Sequence, residues 1–366
     1  MERNAQSTVG LVMPTLNRAD FVIRQLAFCE AARSPHTVYI GDSSGDAQSE
    51  RIRQAVDALH DTRCVYVRCE GYPQNKTTLK LISAVEEKYC AIIPDDDFLF
   101  PSGLSRCAAF LEGAPEYSTA QGRAILFTLD CPGPLGDVAA LGDYWGRPTA
   151  EADDPTRRLR DFIANYWVPL FSVHRTRDFL EDWTPFGPVA DRAFGEIAPS
   201  LLTIARGKSR FIDCMYLARQ AHAGQYAVSD VIRWLTSADW HSAYRAFEDA
   251  MRDALMRSAG LTDELARKVA RELLYLYLAQ RFRPDTRRGS RGSSLREWLK
   301  ERHPAFYGVL RGVRDRLLPA DSLSVSKLSQ PSSPYHSEFC SLVDCVRGTA
   351  RSRELASVRR HVAHDP

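Results

Sequence analysis

Tyr89-Cys90-Ala91-Ile92-Ile93-Pro94-Asp95-Asp96-Asp97-Phe98 decides how the rest of the chain is read. A short apolar run ends at a proline, three carboxylates follow side by side, and an aromatic closes the stretch. The apolar part has the length and the punctuation of a buried strand. The three acids therefore stand at a strand's carboxyl end, where open α/β sheets hold their ligands. Adjacent carboxylates about 4 Å apart repel by roughly 1 kcal/mol per pair even in water. A cation among them reverses that sign, and Mg²⁺ characteristically sits between one or two carboxylates and substrate phosphates. The competing reading is a solvated acidic turn that caps the helix opening at Pro101 and Ser102.

Working back from this stretch, strands and helices alternate. Thr8–Met13 is a strand, followed by the loop Pro14-Thr15-Leu16-Asn17-Arg18, in which Asn17 is placed to cap the next helix. Val22, Leu26 and Cys29 give that helix one buried face. Thr37–Ile40 is a second strand, ending in Gly41-Asp42-Ser43-Ser44, and Cys64–Val67 is a third. Ile52, Val56 and Leu59, then Leu79, Ile82 and Val85, mark two further amphipathic helices, and Leu104, Ala108 and Leu111 a fourth after the acids. This alternation predicts an α/β fold, a parallel sheet with helices on both faces and right-handed crossovers. Asp42 reads either as a ligand for a ribose hydroxyl or base edge, or as a turn aspartate. Lys76 reads either as a phosphate or base contact, or as a solvated first-turn lysine. Neither Gly-x-Gly-x-x-Gly nor a Walker loop is present, which excludes the nicotinamide and P-loop modes of phosphate binding.

Bulk properties narrow the classes further. The 366 residues, 44% hydrophobic and 26% charged, describe a soluble globular protein with room for a second unit. A net charge of +2 with evenly spread basic residues argues against a nucleic-acid partner. There is no apolar run of about 18 residues and no signal-like amino terminus. Nine scattered cysteines without a Cys-x-x-Cys pair favour a reducing cytoplasm over a disulfide framework or a zinc site.

Taken in order, Pro14-Thr15-Leu16-Asn17-Arg18, Gly41-Asp42-Ser43-Ser44 and Ile93-Pro94-Asp95-Asp96-Asp97-Phe98 resemble the bacterial family 2 glycosyltransferases. The resemblance is to the GT-A branch with an Asp-Asp-Asp-Phe signature and a helical carboxyl-terminal part. It is close over residues 8–130 and looser to 220. It implies a GT-A, Rossmann-like nucleotide-sugar-binding domain that moves a sugar from a nucleoside-diphosphate donor, a UDP-sugar foremost, to a glycan or glycolipid hydroxyl with inversion. By the same resemblance Pro14 and Thr15 border the nucleoside, Asp42 faces the base, and Lys76 lies near the base or phosphates. Asp95 holds the ribose or a metal-bound water, and Asp97 binds Mg²⁺ or Mn²⁺ with help from Asp95 or Asp96. Asn17, Arg18 and Asp96 join the donor contacts. Leu16 stands where the branch more often has an aromatic.

The acceptor side follows the acids. Arg123–Leu129 is a strand. Cys131–Pro155, rich in Gly and Pro, reads as a lid without its own periodicity. Its Tyr144-Trp145 pair either stacks on sugar or pins the loop to the core. A helix over 157–167, a strand over 168–174 and a helix over 176–183 come next. In the resembling enzymes the base that deprotonates the acceptor is an acid at the start of the following helix; Glu196 matches best and Asp191 is the reserve. After a strand over 208–218 the resemblance implies a late histidine on the metal, for which His222 is placed, and Arg219 reads as a diphosphate contact.

Residues 1–225 are expected to form the transferase domain, with 1–113 as the donor half and 114–225 as the acceptor half. Residues 226–366 form a helical extension with linkers near 285–294 and 319–336. Leu273–Leu278 is apolar all round and reads as a buried helix. Tyr307–Leu318 reads as a basic amphipathic helix packed on the protein, with peripheral contact at the inner face of the membrane as the alternative. Two rival functions remain at this level: a non-catalytic nucleotide-sugar-binding or scaffold protein that keeps the fold, and a sugar nucleotidyltransferase, which lacks its Gly-rich loop here.

Overall fold

The computed structural model of the chain describes residues 8–224, 231–282 and 323–348. Its first part alternates as expected: β1 (Val9–Thr15), α1 (Ala19–Ala31), β2 (Val38–Asp42), α2 (Asp46–Asp57), β3 (Cys64–Arg68), α3 (Gln74–Ile82) and β4 (Tyr89–Ile92). β1, β2 and β4 are buried along nearly their whole length, which is why they read as continuous apolar runs. β2 and β4 flank β1 in parallel, and β3 pairs in parallel with β2. The spatial order β3-β2-β1-β4 means that the chain builds outward for three strands and then returns to the other side of β1. The carboxyl ends of β1 and β4 border the crevice that such a reversal opens. The acidic turn follows β4 there.

The sheet continues as a mixed one. β5 (Phe98–Leu99), α4 (Pro101–Glu112), β6 (Tyr117–Leu129), β7 (Val138–Asp143), α5 (Pro155–Ala164), β8 (Val173–Arg175), α6 (Thr176–Trp183), α7 (Arg192–Arg206) and β9 (Lys208–Gln220) complete an α/β architecture around nine strands. β8 bridges β4 and β6 in antiparallel pairing, and the long β6 and β9 run parallel. The two residues of β5 pair with the end of β9, Phe98 opposite Ala218. That pairing brings the residues just after the acidic turn onto the strand that supplies Arg219. Two expectations are corrected in this part. The 131–155 segment is not structureless, because β7 pairs antiparallel with β6. The strand expected over 168–174 is a 3-10 turn at Pro169–Phe171 followed by the short β8, since Pro169 has no N–H to give a ladder.

The helical extension serves two cores. α8 (Val231–Leu235), α9 (Trp240–Ala259) and α10 (Asp263–Arg281) share an apolar cluster with α5 and α7, in which Phe162, Phe194, Phe247 and Leu273 meet. α11 (Val325–Leu328) and α12 (His336–Val346) return to the sheet, and Leu328, Phe339 and Leu342 join the cluster that holds Leu26 and Leu104. A cut at 225 therefore crosses both cores. Within the expected 319–336 linker, Leu328, Ser333 and Tyr335 are buried. The 285–294 linker and the basic helix over Tyr307–Leu318 lie outside the described residues. Leu273–Leu278 is buried on one side only: Leu273, Leu274 and Tyr277 face the core, while Tyr275 is 63% exposed. None of the nine cysteines, all of them among the described residues, forms a disulfide. Among the described residues no helix is long and apolar enough to cross a membrane.

Candidate functional site

The loop after β1 is built by local backbone chemistry. Asn17 has φ 55°, the left-handed region that Asn tolerates better than most residues. Its N–H donates to Ser44 Oγ at 2.7 Å and its Oδ1 accepts from the Gly45 N–H at 3.0 Å. It therefore ties the β1 loop to the β2 loop and does not cap α1, whose Ala19 N–H donates instead to Gln48 Oε1. Pro14 is half-buried at the strand end. Thr15 Oγ1 donates to Asp95 Oδ2 at 2.8 Å, joining β1 to the acidic turn. Arg18 Nη1 bridges Asp95 Oδ1 at 2.6 Å and Asp96 Oδ2 at 2.9 Å, and its Nη2 donates to the Gly224 carbonyl.

Each acid of the turn has a different neighbourhood. Burial pushes the Asp95 carboxyl up, against the attraction of Arg18. Burial also works against charge on Asp96, but Arg18 and His222 outweigh it and hold the group below the usual carboxylate range. Asp97 is fully buried, and desolvation pushes it up to about 7 although Arg219 lies beside it. The Gln220 N–H donates to Asp97 Oδ1 at 3.1 Å. Asp97 Oδ2 is 3.0 Å from Arg219 Nε, but the contact is not aligned as a hydrogen bond and leaves both atoms without one. Arg219 is held by Tyr144, whose hydroxyl accepts from Nη1, with the Tyr144 and Phe171 rings 4.9 and 5.0 Å from the guanidinium. The aromatic pair of the 131–155 segment thus pins that segment inward, because Trp145 Nε1 also donates to the Gly122 carbonyl.

His222 lies with Nε2 3.0 Å from Asp96 Oδ2 and its ring stacked on Phe21 at 5.1 Å. A carboxylate, an imidazole and the unsatisfied oxygen of Asp97 are donors of the kind Mg²⁺ and Mn²⁺ accept, with phosphate oxygens completing the shell. The residues therefore fit a divalent cation in donor chemistry. They do not form a ready-made cage: among the described residues no three His, Cys, Asp or Glu side chains gather around one point. Asp95, expected as a ligand, gives its oxygens to Thr15 and Arg18.

Asp42 and Lys76 have their bonds elsewhere. Asp42 is fully buried, with Oδ1 accepting from the Ser44 N–H and Oδ2 from the Tyr66 hydroxyl, both at 2.8 Å. Burial would raise its pKa, yet these hydrogen bonds hold it below the usual range. Lys76 is exposed, its ammonium 3.9 Å from the centre of the Tyr72 ring.

The two acids of α7 separate cleanly. Asp191 is the helix's N-cap: Oδ1 accepts from the Phe194 N–H at 2.9 Å and Oδ2 from Trp234 Nε1 at 2.8 Å. Both of its oxygens are thus engaged in holding the start of α7. Glu196, one turn further on, is half-buried and accepts from the Tyr166 hydroxyl at 3.2 Å. Burial raises its pKa, with Tyr166, Arg281 and Arg219 pulling the other way. Gly195 lets the donor half approach here, since a Cβ would meet the Asn75 amide at 2.4 Å. Asn75 Nδ2 donates to the Val189 and Asp191 carbonyls, which docks α3 on the start of α7.

Sequence reasoning did not find Arg24, Tyr144 as the partner of Arg219, or Tyr166. Arg24 had one visible signal, an arginine followed by Gln25 in the middle of a helix whose other polar residues, Asp20 and Glu30, stand near its ends.

Neither a family model nor a curated protein matches the chain. Among solved structures it is similar to S. aureus TarS 1-349 in complex with UDP-GlcNAc, at 13% identity over 95% of this chain and 92% of that one, with a TM-score of 0.48. The complex of the same TarS fragment with UDP gives a TM-score of 0.45 at the same identity and coverage. S. aureus TarS of greater length gives 0.44, with 93% of this chain and 54% of that one covered.

Proposed function

We propose that the chain is a glycosyltransferase that moves a sugar from a nucleoside-diphosphate donor, a UDP-sugar foremost, to a hydroxyl of a glycan or glycolipid. One observation carries the reading. At the switch point between β1 and β4, two arginines and a histidine from distant segments converge on three adjacent carboxylates.

Arg18, whose side chain is 25% exposed and held by Asp95 and Asp96, puts a fixed positive charge at the edge of the crevice, where diphosphate oxygens would find it. Arg219, fixed in orientation by Tyr144 and Phe171, adds a second fixed positive charge where the leaving group develops its negative one. Mg²⁺ or Mn²⁺ held by Asp96, Asp97 and His222 would add Lewis-acid stabilisation of that leaving group. Thr15 and Asp95 border the nucleoside end. Glu196 takes the proton of the acceptor hydroxyl; its raised pKa suits a base that must hold a proton after the attack. Tyr166 fixes the orientation of that carboxylate. Attack from the face opposite the diphosphate inverts the anomeric carbon.

Thermal unfolding with a panel of nucleoside diphosphates, with Mg²⁺ or Mn²⁺ and then with chelator, tests this reading. A ligand at about a hundredfold over its Kd stabilises by about 2.7 kcal/mol. A shift with one diphosphate, diminished by chelator and lost in Asp97→Ala, supports the donor site and names its base. No shift with any of them removes the transferase reading and leaves a scaffold.

A further inference from the structure

Arg24 is a cation where the hydrophobic core should be. It is 4% exposed, on α1 between the apolar positions Ile23 and Leu26. Burial lowers its pKa to about 10, with Asp95, Asp96 and Asp97 among the charges opposing that fall. An ion so placed is retained only where its donors are well used. Nη2 donates to the Asp96 carbonyl at 2.6 Å, and Nη1 to the Pro134 carbonyl at 2.8 Å and to Gln220 Oε1. The Phe98 and Phe21 rings stand 4.5 and 5.1 Å from the guanidinium. Gln220 extends the bridge: its Nε2 donates to the Gly133 carbonyl at 2.8 Å and its backbone N–H to Asp97 Oδ1.

We propose that Arg24 is a positioning residue, which fixes the acidic turn, the end of β9 and the start of the 131–155 segment in one register. The inference rests on the nucleotide-sugar reading only for its ligand arm. Arg24 bonds the carbonyl of Asp96 and none of the three carboxylates, so it fixes their backbone without occupying their oxygens. The same guanidinium holds the entry of the segment that delivers Tyr144 to Arg219. A displacement at Arg24 thus moves both sides of the crevice at once. Lysine at this position keeps the charge but lacks a fork able to serve three acceptors in different directions.

The test compares wild-type protein with Arg24→Lys and Gln220→Leu by amide hydrogen exchange, and measures affinity for UDP with Mn²⁺ by calorimetry well below the melting temperature. In Arg24→Lys, segments 94–98, 131–137 and 218–221 are expected to lose protection together while β2 and α7 keep theirs. UDP affinity is expected to fall by about tenfold, the equivalent of a single lost strong contact. A role limited to filling the core lowers the melting temperature but leaves both readouts unchanged, and that result overturns the proposal. If Arg24→Lys does not fold, Gln220→Leu decides. It keeps the Gln220 N–H bond to Asp97 and removes only the side-chain bridge, so unchanged exchange at 131–137 is the overturning result. If the wild-type protein binds no nucleoside diphosphate, the functional reading fails, while the exchange pattern still decides the role of Arg24.

Discussion

The acidic turn and Glu196 carry the same chemical group in opposite surroundings. Around the turn, Arg18 and Arg219 lie within 3.0 Å of carboxylate oxygens, and Arg24 secures the backbone from below. Around Glu196 the direct partner is a tyrosine hydroxyl, and Arg219 and Arg281 act only through space. The first arrangement holds negative charge in place for a cation or a ligand's counter-charges. The second leaves a carboxylate that burial already inclines to take up a proton. A site that must bind an anion and accept a proton needs both.

Glu196→Gln gives the largest expected effect. General-base help contributes about 10²–10⁴ in rate, so sugar transfer falls by about that factor while nucleotide binding is unchanged. Transfer that survives in Glu196→Gln would falsify its role and remove the contrast with the turn. Asp97→Asn comes next. Breaking one partner of a buried ion pair costs about 3–5 kcal/mol, because Arg219 is left with uncompensated charge. Urea unfolding checks this, and a loss below about 1 kcal/mol, the median worth of a surface pair, means that Arg219 finds another anion.

The third prediction uses the sign of the Glu196 shift. A carboxyl whose folded pKa is raised above 4.5 adds stability below that value and loses it as pH rises through the folded pKa. Relative to wild type, Glu196→Gln should therefore gain stability as pH rises above 4.5, read as the difference between two denaturant series. A flat difference shows that Glu196 is as well solvated as an exposed acid. Tyr166→Phe should cost about 1 kcal/mol, the net worth of one hydrogen bond. Since the Tyr166 hydroxyl lowers the Glu196 pKa, its loss moves the acid limb of the rate profile to higher pH. The smallest effect lies away from the crevice. Hydrogen bonds from Arg123 and Tyr335 lower Asp213 from 3.8 to about 2, so its contribution is present above 3.8 and is lost as pH falls towards 2. Tyr335 fluorescence should follow that window, and Asp213→Asn should abolish the dependence.

The contrast also explains what the sequence could and could not say. β1, β2 and β4 were legible because a strand buried on both faces must be apolar throughout, and the acids stood out against that background. The family resemblance, not periodicity, is what pointed to His222 beside the acids, with Arg219 read as a diphosphate contact. The structure supplies the reason in the Phe98–Ala218 pairing. Spacing alone could not show that Asp191 is the N-cap, since a cap and a base are both acids near a helix start; its bonds to Phe194 and Trp234 show it. Arg24 was missed because periodicity treats an arginine in an apolar helix as its solvated edge. β7 was missed because its residues are half-exposed and do not alternate in polarity.

The return of α12 to the sheet has a consequence for assembly. Cys345 Sγ donates to the carbonyl of Arg24, across a separation of 321 residues. Val346 accepts from the Gly136 N–H, and Leu342 fills the core beside α1. Contacts this remote in sequence form late, because chain entropy must be spent before they return any energy. During synthesis the sheet emerges with its α1 side uncovered, and the apolar surface under α12 stays open until the ribosome has released residues near 346. The crevice above Arg24 can therefore reach its working shape only after residues near 346 have left the ribosome.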